Sequence, residues 1–320
     1  CWFVTKFGFE GEKITSKTMS KQTFLMWVIT FALIIHMVYG VCTHRTVSVT
    51  SSTALKSALS NAQTGDIIQV SGGSYTGTPF VATSKSGTDD CPIQLLASEV
   101  VTLIGSGTSA GYVLQFVSCS HWFVSGSFTL KNAQKGLVLD SSSYLTIEGI
   151  TVTQIGDEGV LFRKNSCHNT LRSATITNTG LYVPGYGEGV YIGRWNGDWT
   201  NGVPDRSDSN IIEKCHIGPG VKAEAIDIKE GTSSGIIRQN VLDGNGISGA
   251  NYADSWIDVQ GNGYLVVGNS GTASENSDGK FVDGFQVHEI LPGWAINNTF
   301  AENSLSVNGA GWGIYIDEWL

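Results

Sequence analysis

Several acidic residues, a lysine and a tyrosine occur at related places in similar short segments of this chain. The acidic residues are Glu188, Glu224, Asp227, Asp258 and Asp283, and the two other groups are Tyr191 and Lys229. Carboxylates that lie close together either share a proton, which raises one pKa, or bind a cation. Ca²⁺ suits such a group because it takes about six to eight oxygen ligands. The residue types therefore predict a Ca²⁺ site, and its predicted ligands are Glu188, Glu224, Asp227 and Asp258.

These residues belong to a repeated pattern of alternating apolar and variable positions. In residues 224–230, Ile226 and Ile228 alternate with Asp227 and Lys229. In an extended strand this spacing directs the isoleucines to one face and the charged residues to the other. The pattern small–apolar–x–apolar–x occurs seven times at intervals of 23 to 36 residues, with tryptophan at the small position in one copy. The copies begin at Gly136, Gly159, Gly189, Ala225, Trp256, Gly284 and Gly313.

A second apolar pattern precedes the first within each unit. It occupies residues 144–149, 169–172, 210–213, 235–238 and 264–268. The two patterns together predict a coil with more than one strand per turn. A propeller blade needs four strands in about 40–45 residues, whereas the shortest unit here has 23 residues. The repeat therefore favours a parallel solenoid whose successive coils pair at about 4.8 Å.

Stacking the coils in register places the outward residues of the repeated strand in two columns. The middle column is Val138, Leu161, Tyr191, Asp227, Asp258, Gln286 and Tyr315. The last column is Asp140, Arg163, Gly193, Lys229, Gln260, His288 and Asp317. Asp227 and Asp258 would then lie about 5 Å apart, one coil from each other. A solvated polar face is the alternative interpretation, because outward positions of any solenoid are polar.

Composition agrees with short strands joined by turns. Of 320 residues, 41% are hydrophobic, only 15% are charged, 40 are glycine and 6 are proline. This favours many short strands over a helical bundle. The formal net charge is −9, and the chain has no basic stripe that could neutralise phosphates, so a nucleic-acid partner is not expected.

The start of the repeat region predicts a short capping helix. Ser51, Ser52 and Thr53 supply a helix N-cap. Ala54, Leu55, Ala58 and Leu59 then form one apolar stripe. A strand at residues 67–70 follows. A helix in this place would cover the open apolar end of the strand stack.

The N-terminal region predicts secretion. Residues 1–18 precede Met19 and are interpreted as non-native upstream translation, and residues 19–40 as a signal peptide. The alternative is a membrane span, but the apolar run 24–39 is shorter than the roughly 20 residues that a span needs. Residues 41–320 are then a single β-helix domain, without an obvious C-terminal cap. We expect an extracellular, monomeric protein with no membrane attachment after signal removal.

Two modifications follow from a secreted location. A disulfide between Cys42 and Cys91 would join the N-terminal end, since oxidising compartments permit disulfides. Asn297 begins an Asn-Asn-Thr sequence and is the predicted N-glycosylation acceptor. An ordinary turn asparagine is the alternative for Asn297.

The helix, the Gly-Asp-x-Ile-x-Val strand after it and the coil patterns together resemble the right-handed parallel β-helix of pectin-lyase-like proteins. The resemblance covers residues 44–320 and implies an all-β, single-stranded parallel β-helix. Residues 222–229 also resemble the calcium-and-lysine segment of the chondroitinase B/alginate lyase family, in which two glutamates precede a base lysine by seven and five positions. Glu224 and Lys229 match this spacing, whereas Lys222 replaces the first glutamate, and the arginine expected on the next coil is missing.

This resemblance implies a polysaccharide lyase that acts on uronate-containing glycans by β-elimination. Lys229 would be the base, and Arg163 or Tyr191 would assist it. Trp195 and Trp199, in an insertion, and His288 would bind substrate; the tryptophans alternatively pack on their own loop. Two other functions stay open. One is a polygalacturonase-like hydrolase that uses Asp227 and Asp258 as acid and base. The other is a non-catalytic extracellular-matrix protein that binds glycans or calcium.

Overall fold

The structure is a computed structural model that describes residues 42–273 and 280–317. Thr43–Leu320 forms one compact unit. The segment interpreted as upstream translation, residues 1–18, and the predicted signal peptide, residues 19–40, lie outside the described residues. Across the two described ranges, no helix is long and apolar enough to cross a lipid bilayer.

The described chain contains 26 strands and one α-helix. The N-terminal elements are β1 (Arg45–Val49), α1 (Ser52–Ser60), β2 (Asp66–Val70), β3 (Gly73–Thr76), β4 (Phe80–Thr83), β5 (Ile93–Ile104), β6 (Tyr112–Val117), β7 (Trp122–Ala133) and β8 (Lys135–Asp140). The central strands are β9 (Thr146–Glu148), β10 (Thr151–Ile155), β11 (Val160–Arg163), β12 (Thr170–Arg172), β13 (Thr175–Thr177), β14 (Val190–Ile192), β15 (Ile211–Glu213), β16 (His216–Ile217) and β17 (Ile226–Ile228). The remaining strands are β18 (Ile236–Arg238), β19 (Val241–Asp243), β20 (Ser255–Val259), β21 (Leu265–Val267), β22 (Ser270–Thr272), β23 (Asp283–His288), β24 (Thr299–Ala301), β25 (Ser304–Ser306) and β26 (Ile314–Asp317). Short 3₁₀ turns occupy Pro184–Tyr186, Asn196–Asp198, Thr200–Gly202 and Ala250–Tyr252.

Each coil adds one strand to each of three parallel ladders. One ladder is a nine-stranded sheet, called here the site face, in the order β4, β6, β8, β11, β14, β17, β20, β23 and β26. The other strands form two ladders that share the long strands β5 and β7. All of these strand pairs are parallel, as in β11 with β14 and β14 with β17. The prediction of an all-β parallel β-helix is therefore confirmed.

The core is formed by inward side chains that stack from coil to coil. Ile226 pairs with Val190 on one side and with Ile257 on the other. All three are fully buried. Burial of each such side chain stabilises the fold by about 1.5–3 kcal/mol. The same alternation that buries Ile226 and Ile228 therefore turns Asp227 to the outer surface of the site face.

Buried asparagines fix the turns between the two other ladders. Asn240 accepts a hydrogen bond from the Cys215 backbone N–H (2.9 Å), and its side-chain amide donates to the Ile212 carbonyl (3.0 Å). It also donates to the Asn269 side-chain oxygen (2.9 Å), and Asn269 in turn donates to Asn303 (3.0 Å). Because these groups are enclosed, their hydrogen bonds must come from the protein. The asparagine stack thus holds neighbouring coils in register.

The helix α1 covers the first coil, as predicted. The Ser51 hydroxyl accepts a hydrogen bond from the Ala54 N–H (3.2 Å) and so caps the helix. Leu55 and Leu59 are fully buried, and α1 packs against β1 and β4. The opposite side of the helix faces solvent, which gives the N-terminal end of the stack a polar surface.

Cys42 and Cys91, the two cysteines predicted to pair, are both disulfide-bonded. Cys119, Cys167 and Cys215 are free thiols, and Cys119 and Cys215 are buried. Burial raises the pKa of Cys215 to about 12, so this thiol stays protonated.

The capping role of α1 predicts a specific loss of stability. Leu55→Ala should lower the free energy of unfolding by about 2–5 kcal/mol, because it leaves a cavity between the helix and the first coil. The measurement is the midpoint of urea unfolding followed by circular dichroism. Thr53→Ala, at an exposed position of the same helix, is the control and should change the midpoint little. Equal midpoints for the two variants would contradict a capping role.

Candidate active site

The strand register produces the predicted middle column on the site face. Its successive pairs are Val138 with Leu161, Leu161 with Tyr191, Tyr191 with Asp227, Asp227 with Asp258, Asp258 with Gln286, and Gln286 with Tyr315. The last column also forms where strands extend far enough, since Arg163 pairs with Asp140 and His288 with Asp317.

Glycine is required at the bend that leads into the site strands. A Cβ atom on Gly189 would lie 2.5 Å from Ile217 Cγ2 and 2.6 Å from the Ala225 carbonyl oxygen. Such contacts leave no space for a side chain, so the bend between Glu188 and β14 requires glycine at this position. This turn brings the Glu188 side chain close to those of Glu224 and Asp227.

Glu188, Glu224 and Asp227 form a compact acidic cluster. One carboxylate oxygen from each residue lies within 4.8 Å of the other two, although the side chains are only 4%, 7% and 3% exposed. Glu188 Oε2 and Asp227 Oδ1 are buried and have no hydrogen-bond partner among the described residues. Buried carboxylate oxygens without partners are costly, so this cluster has the donor atoms that a hard cation requires.

The carboxyl groups in this cluster have raised pKa values. Burial is the main cause for Glu188 and Glu224, and the charge of Asp227 adds to it in both cases. Burial also raises the pKa of Asp227 to about 6, although the Lys229 ammonium opposes the shift. Without a further cation, the protein therefore favours partial protonation of the cluster. The residues fit Ca²⁺, whose ligands are carboxylate and other oxygens.

Asp258, the fourth predicted metal ligand, has different partners. Its Oδ1 contacts His288 Nδ1 at 2.8 Å, and its Oδ2 accepts a hydrogen bond from Gln260 Nε2 at 2.7 Å. Burial lowers the pKa of His288, but the hydrogen bond to Asp258 and the charges of Asp258, Asp317 and Asp254 outweigh it and raise the pKa overall. The structure thus places Asp258 one coil beyond the acidic cluster, in a pair with the predicted substrate-binding residue His288.

Lys229 and Tyr191 lie over the acidic cluster and are partly exposed, unlike the acids. Lys229 Nζ donates to Asp227 Oδ2 at 2.7 Å and lies 5.4 Å from the centre of the Tyr191 ring. Burial disfavours the ammonium, but the charges of Asp227, Tyr191 and Asp258 outweigh it and raise the pKa of Lys229 well above its ordinary value. Burial raises the pKa of Tyr191, and the Lys229 charge partly opposes this. Lys229 is therefore protonated at neutral pH.

Arg163, the third predicted catalytic residue, is bound to another carboxylate on the site face. Its Nε donates to Asp140 Oδ1 at 2.6 Å, and its Nη2 donates to the Tyr112 hydroxyl at 3.3 Å. Lys164 Nζ contacts the same aspartate at 3.3 Å. Two cations thus share the Asp140 carboxylate on the coils before Tyr191.

The insertion with Trp195 and Trp199 gives the two tryptophans different environments. Trp199 donates from Nε1 to the Arg194 carbonyl at 2.9 Å and packs edge to face against Trp294, with ring centres 6.5 Å apart. Trp199 thus stabilises its own loop, as the alternative interpretation proposed. Trp195 is 52% exposed and remains accessible to a ligand.

Two buried acids that the sequence patterns did not indicate hold this insertion in place. Glu230 is fully buried and accepts a hydrogen bond from the Asn196 N–H at 2.6 Å. Asp205 accepts from the backbone N–H groups of Lys164 (2.6 Å) and Asn165 (2.8 Å). Glu230 immediately follows Lys229, and this adjacency is the only sequence signal for it. Asn297, the predicted glycosylation site, is exposed.

Comparisons with known proteins agree with this geometry. Neither a protein-family model nor a curated protein matches the chain. Among solved structures, an alginate lyase from Paenibacillus sp. str. FPU-7 is 39% identical, with a TM-score of 0.81, over 86% of this chain and 92% of that chain. The pectate lyase Pel9A is 16% identical, with a TM-score of 0.57, over 87% of this chain and 80% of that chain, and it supports the fold alone.

The similarity to the Paenibacillus enzyme extends over almost the whole of both chains. It also agrees with the parallel β-helix observed here. The chain therefore belongs to the family of β-helix polysaccharide lyases that includes the alginate lyase of Paenibacillus sp. str. FPU-7.

Proposed function

We propose that this protein cleaves a uronate-containing polysaccharide by β-elimination, with alginate as the first substrate to test. The observation that carries the proposal is the pair of accessible proton-transfer groups, Tyr191 and Lys229, above the acidic cluster of Glu188, Glu224 and Asp227. The 39% identity to an alginate lyase supports the same reaction class.

β-Elimination requires two proton transfers and charge neutralisation. The hydrogen on the carbon α to the uronate carboxyl leaves as a proton, and its electron pair forms a carbon–carbon double bond. The bond to the 4-linked oxygen then breaks, and that oxygen takes up a proton. The reaction is faster when a cation stabilises the charge that develops on the carboxylate.

We propose Lys229 as the proton donor, in place of the base role that the resemblance implies. Because its pKa is raised, Lys229 carries a proton at neutral pH and can give it to the leaving oxygen. Tyr191 lies on the neighbouring coil and is the proton acceptor in this proposal. Burial and the charges of Asp227, Glu188 and Glu158 raise the pKa of Tyr191, and the adjacent ammonium opposes this only in part. A cation bound by the acidic cluster would neutralise Asp227 and Glu188 and so favour the phenolate that this role requires.

We further propose that Glu188, Glu224 and Asp227 hold Ca²⁺. A bound Ca²⁺ would neutralise a substrate carboxylate and increase the acidity of the α hydrogen. Lys222, which replaces a glutamate of the related lyase segment, does not prevent this. Glu188 from the preceding coil and Asp227 from the same strand supply carboxylates next to Glu224.

Other parts of the proposal rest on the surroundings of the site. Trp195 and His288 are partly or largely exposed on the site face and its border, so they are proposed to contact sugar residues. Arg163 and Lys164 would attract the carboxylate of a neighbouring uronate. The disulfide-bonded state of Cys42 and Cys91 supports secretion into an oxidising compartment.

The first prediction from this proposal concerns activity. Incubation with alginate, pectate or a glycosaminoglycan should produce an unsaturated product that absorbs ultraviolet light. Lys229→Ala and Tyr191→Phe should each reduce kcat about 10²- to 10⁴-fold, because each removes one proton transfer. Lys131→Ala, on a strand of another ladder, is the matched control and should retain full activity.

Other products would contradict the lyase. New reducing ends without ultraviolet absorbance would indicate a hydrolase. Retention on a polysaccharide column without any product would indicate the non-catalytic binding function.

The second prediction separates the roles of Lys229 and Tyr191. A uronate that carries fluoride at C4 needs little help from an acid, because fluoride leaves without a proton. On this substrate Lys229→Ala should recover most of its lost rate, whereas Tyr191→Phe should not. If Tyr191→Phe recovers its rate on this substrate and Lys229→Ala does not, Tyr191 is the proton donor and Lys229 the acceptor. The rate of fluoride release is the measurement.

The third prediction concerns pH and calcium. A carboxyl whose pKa is raised in the folded state stabilises the fold at low pH, and this stabilisation is lost as pH rises through the folded pKa. In chelator, the protein should therefore lose stability from about pH 4 upward, by about 3 kcal/mol for the shift of Asp227 to about 6. Ca²⁺ should restore the melting temperature at pH 8.

Thermal unfolding with chelator or Ca²⁺ across this pH range is the measurement. Glu224→Gln should reduce both the pH dependence and the effect of Ca²⁺. Glu302→Gln, at an exposed position, should change neither. A wild-type melting temperature that does not respond to Ca²⁺ at pH 8 would exclude the proposed metal site.

A further inference from the structure

Three exposed tyrosines lie in two short turns beside the site face and form what we call the tyrosine rim. Tyr182, Tyr186 and Tyr252 are 56%, 54% and 91% exposed. The turns are the 3₁₀ segments Pro184–Tyr186 and Ala250–Tyr252, together with the residues just before the first of them. Exposed aromatic groups that cluster in this way commonly mark binding surfaces.

The two turns are fixed to each other and to the helix body. The Asn251 side-chain amide donates to the Gly185 carbonyl at 3.1 Å, and a Cβ atom on Gly185 would lie 2.7 Å from Asn251 Cβ. The Tyr182 N–H donates to the Gly156 carbonyl at 2.8 Å. These contacts fix the backbone that carries the rings. A ligand would therefore bind with little loss of conformational entropy in the turns.

The backbone of the second turn adopts a conformation that holds Tyr252 in solvent. Asn251 and Tyr252 have φ values of 57° and 64°, both in the left-handed region. Left-handed residues recur at the turns of this chain, including the consecutive pair Lys164 and Asn165, so this conformation belongs to the turn itself. It leaves the Tyr252 ring almost fully exposed.

The tyrosine rim borders the site. After Tyr186 the chain continues through Glu188 into β14, which carries Tyr191, and after Tyr252 it continues into β20, which carries Asp258. The rim thus leads into the two coils on either side of Asp227.

A lysine side chain accompanies the tyrosine rim. The methylenes of Lys222 pack along Gly180, just before Tyr182. Aromatic rings pack on the apolar faces of sugar rings, and ammonium groups attract carboxylates. This combination suits an anionic saccharide better than a neutral one.

We propose that the tyrosine rim binds sugar residues of the same anionic polysaccharide, beyond those next to the cleaved bond. This inference rests on the proposed function. The rim increases the affinity for long chains, and short oligosaccharides that occupy only the cleavage site do not gain from it. The chemical step is unaffected, because no rim residue reaches the reacting atoms.

Steady-state kinetics on polymer and on short oligosaccharide test this inference. Tyr252→Ala combined with Tyr186→Ala should raise KM for the polymer about three- to tenfold. It should leave kcat on the polymer and both constants on the oligosaccharide unchanged. Tyr252→Phe keeps the ring and should behave as wild type. Tyr144→Ala removes a tyrosine that is 50% exposed just before β9, a strand of another ladder, and it should also have no effect.

Affinity electrophoresis provides a second measurement that does not depend on cleavage. In gels that contain alginate, Lys229→Ala should be retarded, and the same variant with Tyr252→Ala and Tyr186→Ala should be retarded less. Hydroxyethyl cellulose, a neutral polymer, should retard neither.

The outcomes separate this inference from the proposed function. If the protein cleaves alginate but removal of the tyrosines changes neither the KM for the polymer nor the retardation, the proposed role of the rim is wrong. The lyase proposal is unaffected by that result. Equal retardation by the neutral polymer overturns the anionic ligand. Rim-dependent retardation without cleavage of any uronate supports the rim and contradicts the lyase.

Discussion

The spacing between coils is the constraint on which the rest of this structure depends. Each strand must form parallel hydrogen bonds with the strand above and below it at about 4.8 Å. Ile226 therefore stacks between Val190 and Ile257, and the residue after it, Asp227, must face outward between Tyr191 and Asp258. The same strand alignment therefore places apolar residues in the core and polar residues in the candidate site. A shift of one residue would exchange the inward and outward side chains.

The same spacing brings like charges together, and the charges on the site face are only partly compensated. Asp227 pairs with Lys229, Asp258 with His288, and Glu158 with Lys135. Glu188 and Glu224 form no ion pair within the described chain, although both are buried. Desolvation and mutual repulsion therefore raise their pKa values. The Lys229 charge opposes these shifts only in part. A divalent cation would compensate the two carboxylates that form no ion pair, which is a reason for calcium that is independent of the family resemblance.

The sequence predicted which residues of the site strands face outward, because strand alternation has a period of two residues. The same alternation occurs in all seven repeats. The sequence could not predict contacts made by the insertions. Trp199 packs against Trp294, and Glu230 binds the Asn196 N–H, yet no periodic pattern relates these pairs. Glu188 was a predicted ligand, but the direction of its side chain was undetermined, since alternation ends at the bend. Its position follows from the close packing at Gly189, which only the assembled coils show.

Burial divides the site into groups that can touch a substrate and groups that act through them. Glu188, Glu224 and Asp227 are enclosed, whereas Tyr191 and Lys229 reach the surface. A polymer on the site face would therefore meet the tyrosine and the ammonium first, and the charge of Asp227 raises the pKa of both. Because the solenoid backbone is rigid and repetitive, differences in substrate between such proteins should lie in the insertions at its borders. Here these are the tryptophan loop held by Glu230 and Asp205 and, before the site strands, the turns with exposed tyrosines.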